Sequence, residues 1–278
     1  MNPDFNRLAE ECREIRNVVI DICHGAGSGH CGGSLSSVEI IWTLYSCFLN
    51  IRADEPQWPA RDRFILSKGH AAPALYTALS RKGFFGPDTL KTLRKTGTIL
   101  QGHPDMNKTP GVDISAGSLG MGISVGAGMA LARRLSKLDY RIYVLVGDGE
   151  LQEGQNWEGF MSARKFGLSR LVILVDNNGV QLDGRTEEIM PMLSIAGKIK
   201  EFGLGVRECD GHDCRDIFEA IRWARDAEDK PRVIIANTVK GKGISFMEGD
   251  YAWHGKPLSD EDYQKASLEL QSSEEEES

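Results

Sequence analysis

Two short polar clusters in this chain have the residue types needed to hold a divalent cation against a diphosphate. Gly147-Asp148-Gly149 and Asp176-Asn177-Asn178 each close an apolar run, residues 141–146 and 171–175, with one helix-sized segment between them. Asp148 offers a carboxylate and Asn178 an amide oxygen. These are hard donors with no Cys or His among them, which suits Mg²⁺ or Ca²⁺ better than zinc. Gly147 and Gly149 allow the backbone to approach a diphosphate closely, and the N–H of Gly149 can be given to a phosphate oxygen. Either cluster alone also fits an ordinary strand-end turn or an Asn-rich loop. Their spacing across one helix favours a shared site.

Histidines 30, 70, 103 and 254 each lie in a glycine-flanked loop rather than on an apolar helical face. They are expected to converge near Asp148, as donors to phosphate oxygens and as proton-transfer groups near neutral pH. No HxH or HExxH spacing supports a histidine metal site. His24, at the end of the first helix, and His212, in a turn and cap, read as structural.

The elements that must position these groups alternate. The two runs before the polar clusters are short, β-branched and without alternation, as buried parallel strands are. Further strands are read at 63–66, 205–208 and 232–236. A right-handed crossover between such strands puts their carboxyl ends on one edge, where open α/β sheets bind ligands. Helices are expected over 6–23, with Leu8, Cys12, Ile15, Val19 and Ile22 on one buried face, and from Ser34 or Ser36 to about Phe48. Others are expected over 71–82, from Pro87 to near Gly97, over 214–226 and over 259–270. Residues 25–33 carry five glycines around His30 and read as a loop pressed against a ligand. Glycines 117, 120, 122, 126 and 128 imply very close packing of the 117–135 segment against another helix or a subunit. The fold class is therefore α/β, a doubly wound, mostly parallel sheet with helices on both faces. Residues 1–270 read as one domain and 271–278 as a disordered acidic tail.

The chain has 278 residues and a formal charge of −7, with Lys and Arg dispersed, which argues against a nucleic-acid surface. No stretch approaches the roughly 18 apolar residues of a membrane span, and residues 1–4 do not open a secretory signal. The expected location is cytoplasmic. Six sparse cysteines, none in a CxxC pair, fit reduced thiols. Cys31 follows His30 and reads as a small filler of the loop rather than a reactive thiolate.

The run from Gly147 through Leu151-Gln152-Glu153-Gly154, continuing to Asp176-Asn177-Asn178, resembles the thiamine diphosphate fingerprint in its transketolase form. Ser28-Gly29-His30, Leu66-Ser67-Lys68-Gly69-His70, Gln101-Gly102-His103-Pro104, Ser115–Gly120 and Trp253-His254-Gly255 resemble further transketolase motifs in the family's order. The resemblance covers nearly the whole chain apart from the acidic tail. It implies the N-terminal, diphosphate-binding domain of a transketolase, with thiamine diphosphate and Mg²⁺ as cofactors and Ca²⁺ or Mn²⁺ as substitutes. It places His70 on the diphosphate, with Gly117, Ser118, Leu119, Gly147, Asp148, Gly149 and Asn178 around the cofactor. His30 and His254 fall near the thiazolium and the reacting carbonyl, and His103 on a hydroxyl of the donor sugar. Glu153 falls behind the diphosphate and at the interface, and the backbone carbonyl of Val180 completes the metal shell with Asp148 and Asn178. Ser118 replaces the proline common in full-length transketolases, and residues 249–254 also depart from the fused enzymes.

The implied reaction moves a two-carbon ketol unit from a ketose phosphate to an aldose phosphate, in the pentose phosphate pathway or a specialised route. In the family the cofactor's aminopyrimidine is held by a second domain, and no second α/β unit is read after residue 270. The expected partner is a separate C-terminal transketolase subunit, two copies of each chain, with sugar phosphates as substrates and neither nucleic acid nor membrane involved. The alternatives are a 2-oxoacid dehydrogenase α-like or deoxyxylulose phosphate synthase-like subunit, or a non-catalytic regulatory module of the same fold. A nicotinamide domain is disfavoured because no strand is followed by GxGxxG.

Overall fold

The computed structural model describes residues 2–275. Five strands, β1 (Arg63–Leu66), β2 (Ile142–Gly147), β3 (Leu171–Asn177), β4 (Gly205–Asp210) and β5 (Arg232–Asn237), form one wholly parallel sheet in the order β1-β2-β3-β5-β4. Alternate residues feed two cores. Tyr143, Leu145, Val172 and Leu174 face one side, against helices α1 (Phe5–Gly25), α3 (Val38–Cys47), α4 (Ala72–Arg81) and α9 (Cys214–Arg225). Ile142, Val144, Val146, Ile173 and Val175 face the other, against α5 (Gly122–Ser136), α6 (Gly154–Lys165) and α8 (Ile195–Glu201). Both faces of β2 and β3 are covered, which is why those runs carry no polar alternation. The doubly wound α/β architecture read from the sequence is the one observed.

Helix α1 starts at Asp4, whose carboxylate accepts the backbone N–H groups of Asn6 and Arg7. Its five expected apolar residues are buried together. Arg16 is buried on the same helix and is paired with Glu39 of α3.

Several local expectations change. The 25–33 loop is shorter, because a short helix α2 (Cys31–Leu35) begins after His30. Gly32 and Gly33 serve packing there: a Cβ on Gly32 would lie 2.9 Å from the Trp253 carbonyl oxygen, and one on Gly33 3.2 Å from His70 Nε2. The residue before α3 is Ser37, and neither it nor Ser36 caps a helix, since both hydroxyls turn to the buried carboxylate of Asp176. The segment after Pro87 is a short 3₁₀ helix, Pro87–Thr92, ending at Leu93 and followed by the left-handed Arg94 at φ 60°. Cys31 is buried, and its hydrogen bond to Cys23 together with burial pushes its thiol well above the usual range, so it is a filler.

The close packing implied by the glycines of α5 is against the sheet. A Cβ on Gly126 would come within 2.7 Å of Val144, and one on Gly122 within 2.3 Å of the Ser67 hydroxyl. Helix α10 (Asp260–Glu275) is longer than expected. Backbone helix continues past residue 270 into the stretch read as a tail, while 276–278 lie outside the described residues. No helix among the described residues is long and apolar enough to cross a membrane.

Candidate active site

Two aspartates meet at the carboxyl edge of β2 and β3, where Gly147 is the register partner of Asp176 and the Asp148 N–H reaches the Asp176 carbonyl at 3.1 Å. Their environments differ. The fully buried Asp176 carboxylate accepts from Ser36 (2.7 Å), Ser37 (3.2 Å), Asn178 (3.2 Å), Thr238 and Lys68. Burial alone would raise its pKa, but Lys68 and the hydroxyls bring it below the ordinary value. Asp148 is also buried, but its donors are backbone N–H groups, that of Gly179 at 2.8 Å among them, and the Thr186 hydroxyl at 3.4 Å. Burial, and then the charge of Asp176, push Asp148 up to about 6. A buried carboxylate in that condition is matched to a cation.

Asn178 donates to Asp176, and its amide oxygen receives the Val180 N–H at 3.1 Å. Asp148, Asn178 and Val180 line one cavity of about 320 Å³, together with His70, Leu119, Glu153, Lys68, Lys240 and His254. An aspartate, an amide oxygen and a neighbouring carbonyl form an all-oxygen donor set that fits Mg²⁺ and leaves room for diphosphate oxygens. Lys240 keeps a donor for the diphosphate, whereas the Lys68 ammonium spends its three on the Asp176 carboxylate, the Gly33 carbonyl (3.0 Å) and the Ser37 hydroxyl (3.1 Å).

The four loop histidines converge as expected. Ring centroids lie 5.4 Å apart for His30 and His70, 6.1 Å for His30 and His103, 5.4 Å for His30 and His254, and 4.9 Å for His70 and His254. Burial is the main reason all four titrate low: His30 near 4, His254 near 3, His70 well below and His103 below the usual value. Neighbouring cations add to this, Arg94 at His30 and His103, Lys68 at His70, and Lys240 at His254. The rings are neutral at pH 7. Lys240 lies 3.0 Å from His254 Nδ1, and Arg94 lies 3.3 Å from His30 Nδ1. A cation can only donate, so each Nδ1 is an acceptor and each Nε2 carries the proton. Both histidines therefore present neutral N–H donors.

Glu150 holds the surrounding loops. Its buried carboxylate accepts from Ser67, from the Gly120 N–H (2.9 Å) and from the Gly147 N–H (3.1 Å). Gly147 and Gly149 line the cavity. Gly117 lies against His103, whose ring would be 3.7 Å from a Cβ placed there, and Ser118 is exposed, outside the cavity lining. His30 and His103 also stand outside the lining, with His30 packed on His70 and His254.

Sequence reasoning did not single out Lys68, Arg94, Glu150, Asp176 or Lys240 as site residues. Lys68 sits in the same strand exit as His70, and Lys240 follows β5 at the ligand-binding edge, so the strand-end rule contained a signal for both. His24 stacks on Tyr263, and His212 pairs with Glu39 while accepting the Val239 N–H, which fits the structural reading of both.

A family model described as transketolase, thiamine diphosphate binding domain, matches residues 8–276. The chain is 43% identical over 264 residues to the 6-deoxy-6-sulfo-D-fructose transketolase subunit SqwG of Clostridium sp. (strain MSTE9), covering 95% of this chain and 96% of that one. It is 39% identical to one of the apulose-4-phosphate transketolase subunits of Phocaeicola vulgatus, covering 95% and 93%. The solved transketolase of Campylobacter jejuni is similar with a TM-score of 0.91 and 30% identity over 98% of this chain, which spans only 43% of that longer one. The chain thus matches these two relatives almost end to end and about two-fifths of the solved transketolase.

Proposed function

The chain belongs to the transketolase family, as a counterpart of its thiamine diphosphate-binding domain, and from that premise we propose that it is the N-terminal subunit of a split transketolase. It transfers a two-carbon ketol unit from a ketose phosphate to an aldose phosphate, in the cytoplasm, with thiamine diphosphate and Mg²⁺. It does so only in complex with a C-terminal subunit, as two copies of each chain. The observation that carries this reading is the convergence of four neutral histidines beside a cavity whose wall holds two buried lysines and an Asp148 raised by burial.

Asp148, Asn178 and the Val180 carbonyl would hold the Mg²⁺, with His70 and Lys240 on the diphosphate and Lys68 supporting the wall through Asp176. When bound, thiamine diphosphate supplies a thiazolium carbon nucleophile and an electron sink for C–C cleavage. This chain supplies binding, orientation and proton handling. His30 and His254 present Nε2–H donors toward the position of the reacting carbonyl oxygen, where a neutral donor stabilises developing negative charge without first losing a proton. His103 orients a substrate hydroxyl. Glu153 stands at the rim, at the subunit boundary.

The rim is apolar and open. Leu119 and Leu182 line the cavity and are nonetheless exposed, Leu119 by 38% and Leu182 by 60%. An apolar surface of this kind beside a cofactor site suits burial against the pyrimidine-binding partner. The two subunit relatives bear the names of different sugars, so the test uses a panel of ketose phosphates with xylulose 5-phosphate and ribose 5-phosphate as the reference pair. Turnover is expected only after reconstitution with the C-terminal chain. Ketol transfer by the isolated polypeptide would refute the reading.

A further inference from the structure

The opposite edge of the sheet carries a second concentration of charge. The last turns of α5 and α9 bring Arg133 and Arg225 beside Arg141, which precedes β2, and Arg170, which precedes β3. These four guanidiniums line a cavity of about 560 Å³ together with Asp226 and Glu228. Asp139 lies beside it, 2.7 Å from Arg133 and 3.7 Å from Arg170.

The partners of the four arginines are unequal. Arg225 is used structurally, donating to the Phe48 carbonyl (2.8 Å) and the Tyr143 hydroxyl (2.9 Å). Among the described residues the guanidinium of Arg141 makes no hydrogen bond and no ion pair, and its Nη1, like Nε of Arg133, is shut off from solvent without a partner. Burial, and then Arg170, disfavour the charge on Arg141, and Arg225 adds to this. The other two guanidinium nitrogens of Arg141, Nε and Nη2, have no protein partner among the described residues and keep access to solvent, so a tetrahedral oxyanion in the cavity can pair two of its oxygens with that fork while its charge offsets the repulsion among the arginines.

We propose that this cavity is an anion site for a phosphate dianion, either free or as the terminal group of a small metabolite. Arg141 and Arg170 are its principal ligands. The six residues of β2 stand between Arg141 and Asp148, a separation of roughly 23 Å, so an anion bound there is distinct from one held in the cofactor cavity.

The test is calorimetric titration of inorganic phosphate into the full chain in low-chloride buffer. A saturable site that persists when the cofactor cavity is altered is expected. Arg141→Ala and Arg170→Ala should each weaken it by about tenfold or more, whereas Lys240→Ala, at the cofactor edge, should leave it within about twofold. Thermal unfolding confirms that each variant is folded, and Arg141→Gln replaces the alanine variant if that one is not. Ribose 5-phosphate in the same titration separates the sources: tighter binding than inorganic phosphate assigns a phosphorylated metabolite, and equal or weaker binding assigns the free ion. Unchanged affinity in both arginine variants, loss confined to Lys240→Ala, or the absence of saturable binding would overturn the proposal.

Discussion

Asp148→Asn should make the cofactor-free chain more stable while destroying its affinity for metal and cofactor. The carboxyl is held at about 6 rather than 3.8, first by burial and then by Asp176. At about 1.36 kcal/mol per pH unit, keeping it ionised at pH 7 costs about 3 kcal/mol. Asparagine removes that charge and can still accept the Gly179 N–H. For a chain of this size the gain corresponds to roughly 6 °C or more in Tm. The sign with pH is fixed. A carboxyl whose folded pKa is raised contributes stability fully below about 4 and loses it as pH rises through about 6. The advantage of the variant should therefore be absent near pH 4, open between 4 and 6, and stay flat above. Thermal unfolding followed by circular dichroism in EDTA, from pH 4 to 8, measures this directly. Repeating it with Mg²⁺ and thiamine diphosphate should reverse the order, since only the wild-type chain gains stability by binding. A variant less stable than wild type at pH 8 in EDTA, or one that still gains from the cofactor, would refute the reasoning.

Further outcomes follow from the same geometry. His30 and His254 should titrate near 4 and 3; because these folded values lie below the unfolded one, their contribution to stability is complete above pH 6.5 and lost as pH falls beneath it. Ring-proton NMR would expose the error if either midpoint fell between 6 and 7. Lys240→Met removes a buried cation from the cavity wall and should weaken thiamine diphosphate binding by about 10- to 100-fold, with equal affinity by calorimetry counting against the assignment. Gly126→Ala should destabilise the fold by about 1–3 kcal/mol, because its Cβ would meet Val144 at 2.7 Å and Leu171 at 3.2 Å; urea unfolding at wild-type stability would show that α5 is free to move off the sheet.

What is readable in the sequence follows from the range of the interactions involved. β2 and β3 are visible because burial on both faces forbids polar residues, and the two clusters at their ends are visible because a strand must stop where ligands begin. The histidines stand out because glycine-flanked loops have few other reasons to hold an imidazole. Lys68, Lys240 and Glu150 are hidden because their partners lie far along the chain: Lys68 is fixed by Asp176, and Lys240 by a carbonyl 60 residues away. A lysine on a loop looks solvated until the fold closes over it. The glycines at 32 and 33 mislead for a related reason, since the same absence of Cβ serves a flexible loop and a tightly packed helix, and only the proximity of Trp253 and His70 tells them apart.

The contrast between the two aspartates explains the order of the site. They arrive at one sheet edge as near neighbours, and two unpaired carboxylates there would repel each other strongly. Asp176 is removed from competition by Lys68 and three hydroxyls, which keep it ionised and use its lone pairs. Its charge then acts on Asp148, which among the described residues has no cationic partner in a hydrogen bond or ion pair. Pushing the two pKa values apart in this way assigns the roles: Asp176 anchors Ser36 and Ser37 beside the short helix that carries Gly33, and so sets the wall behind His70. Asp148 keeps its charge available for an ion that must come from outside. If the same reasoning holds for Lys240, lowered to about 8 by burial and Lys68, then the cavity stores unfavourable charge of both signs. A metal diphosphate relieves both at once, its cation at Asp148 and its oxyanions at Lys240.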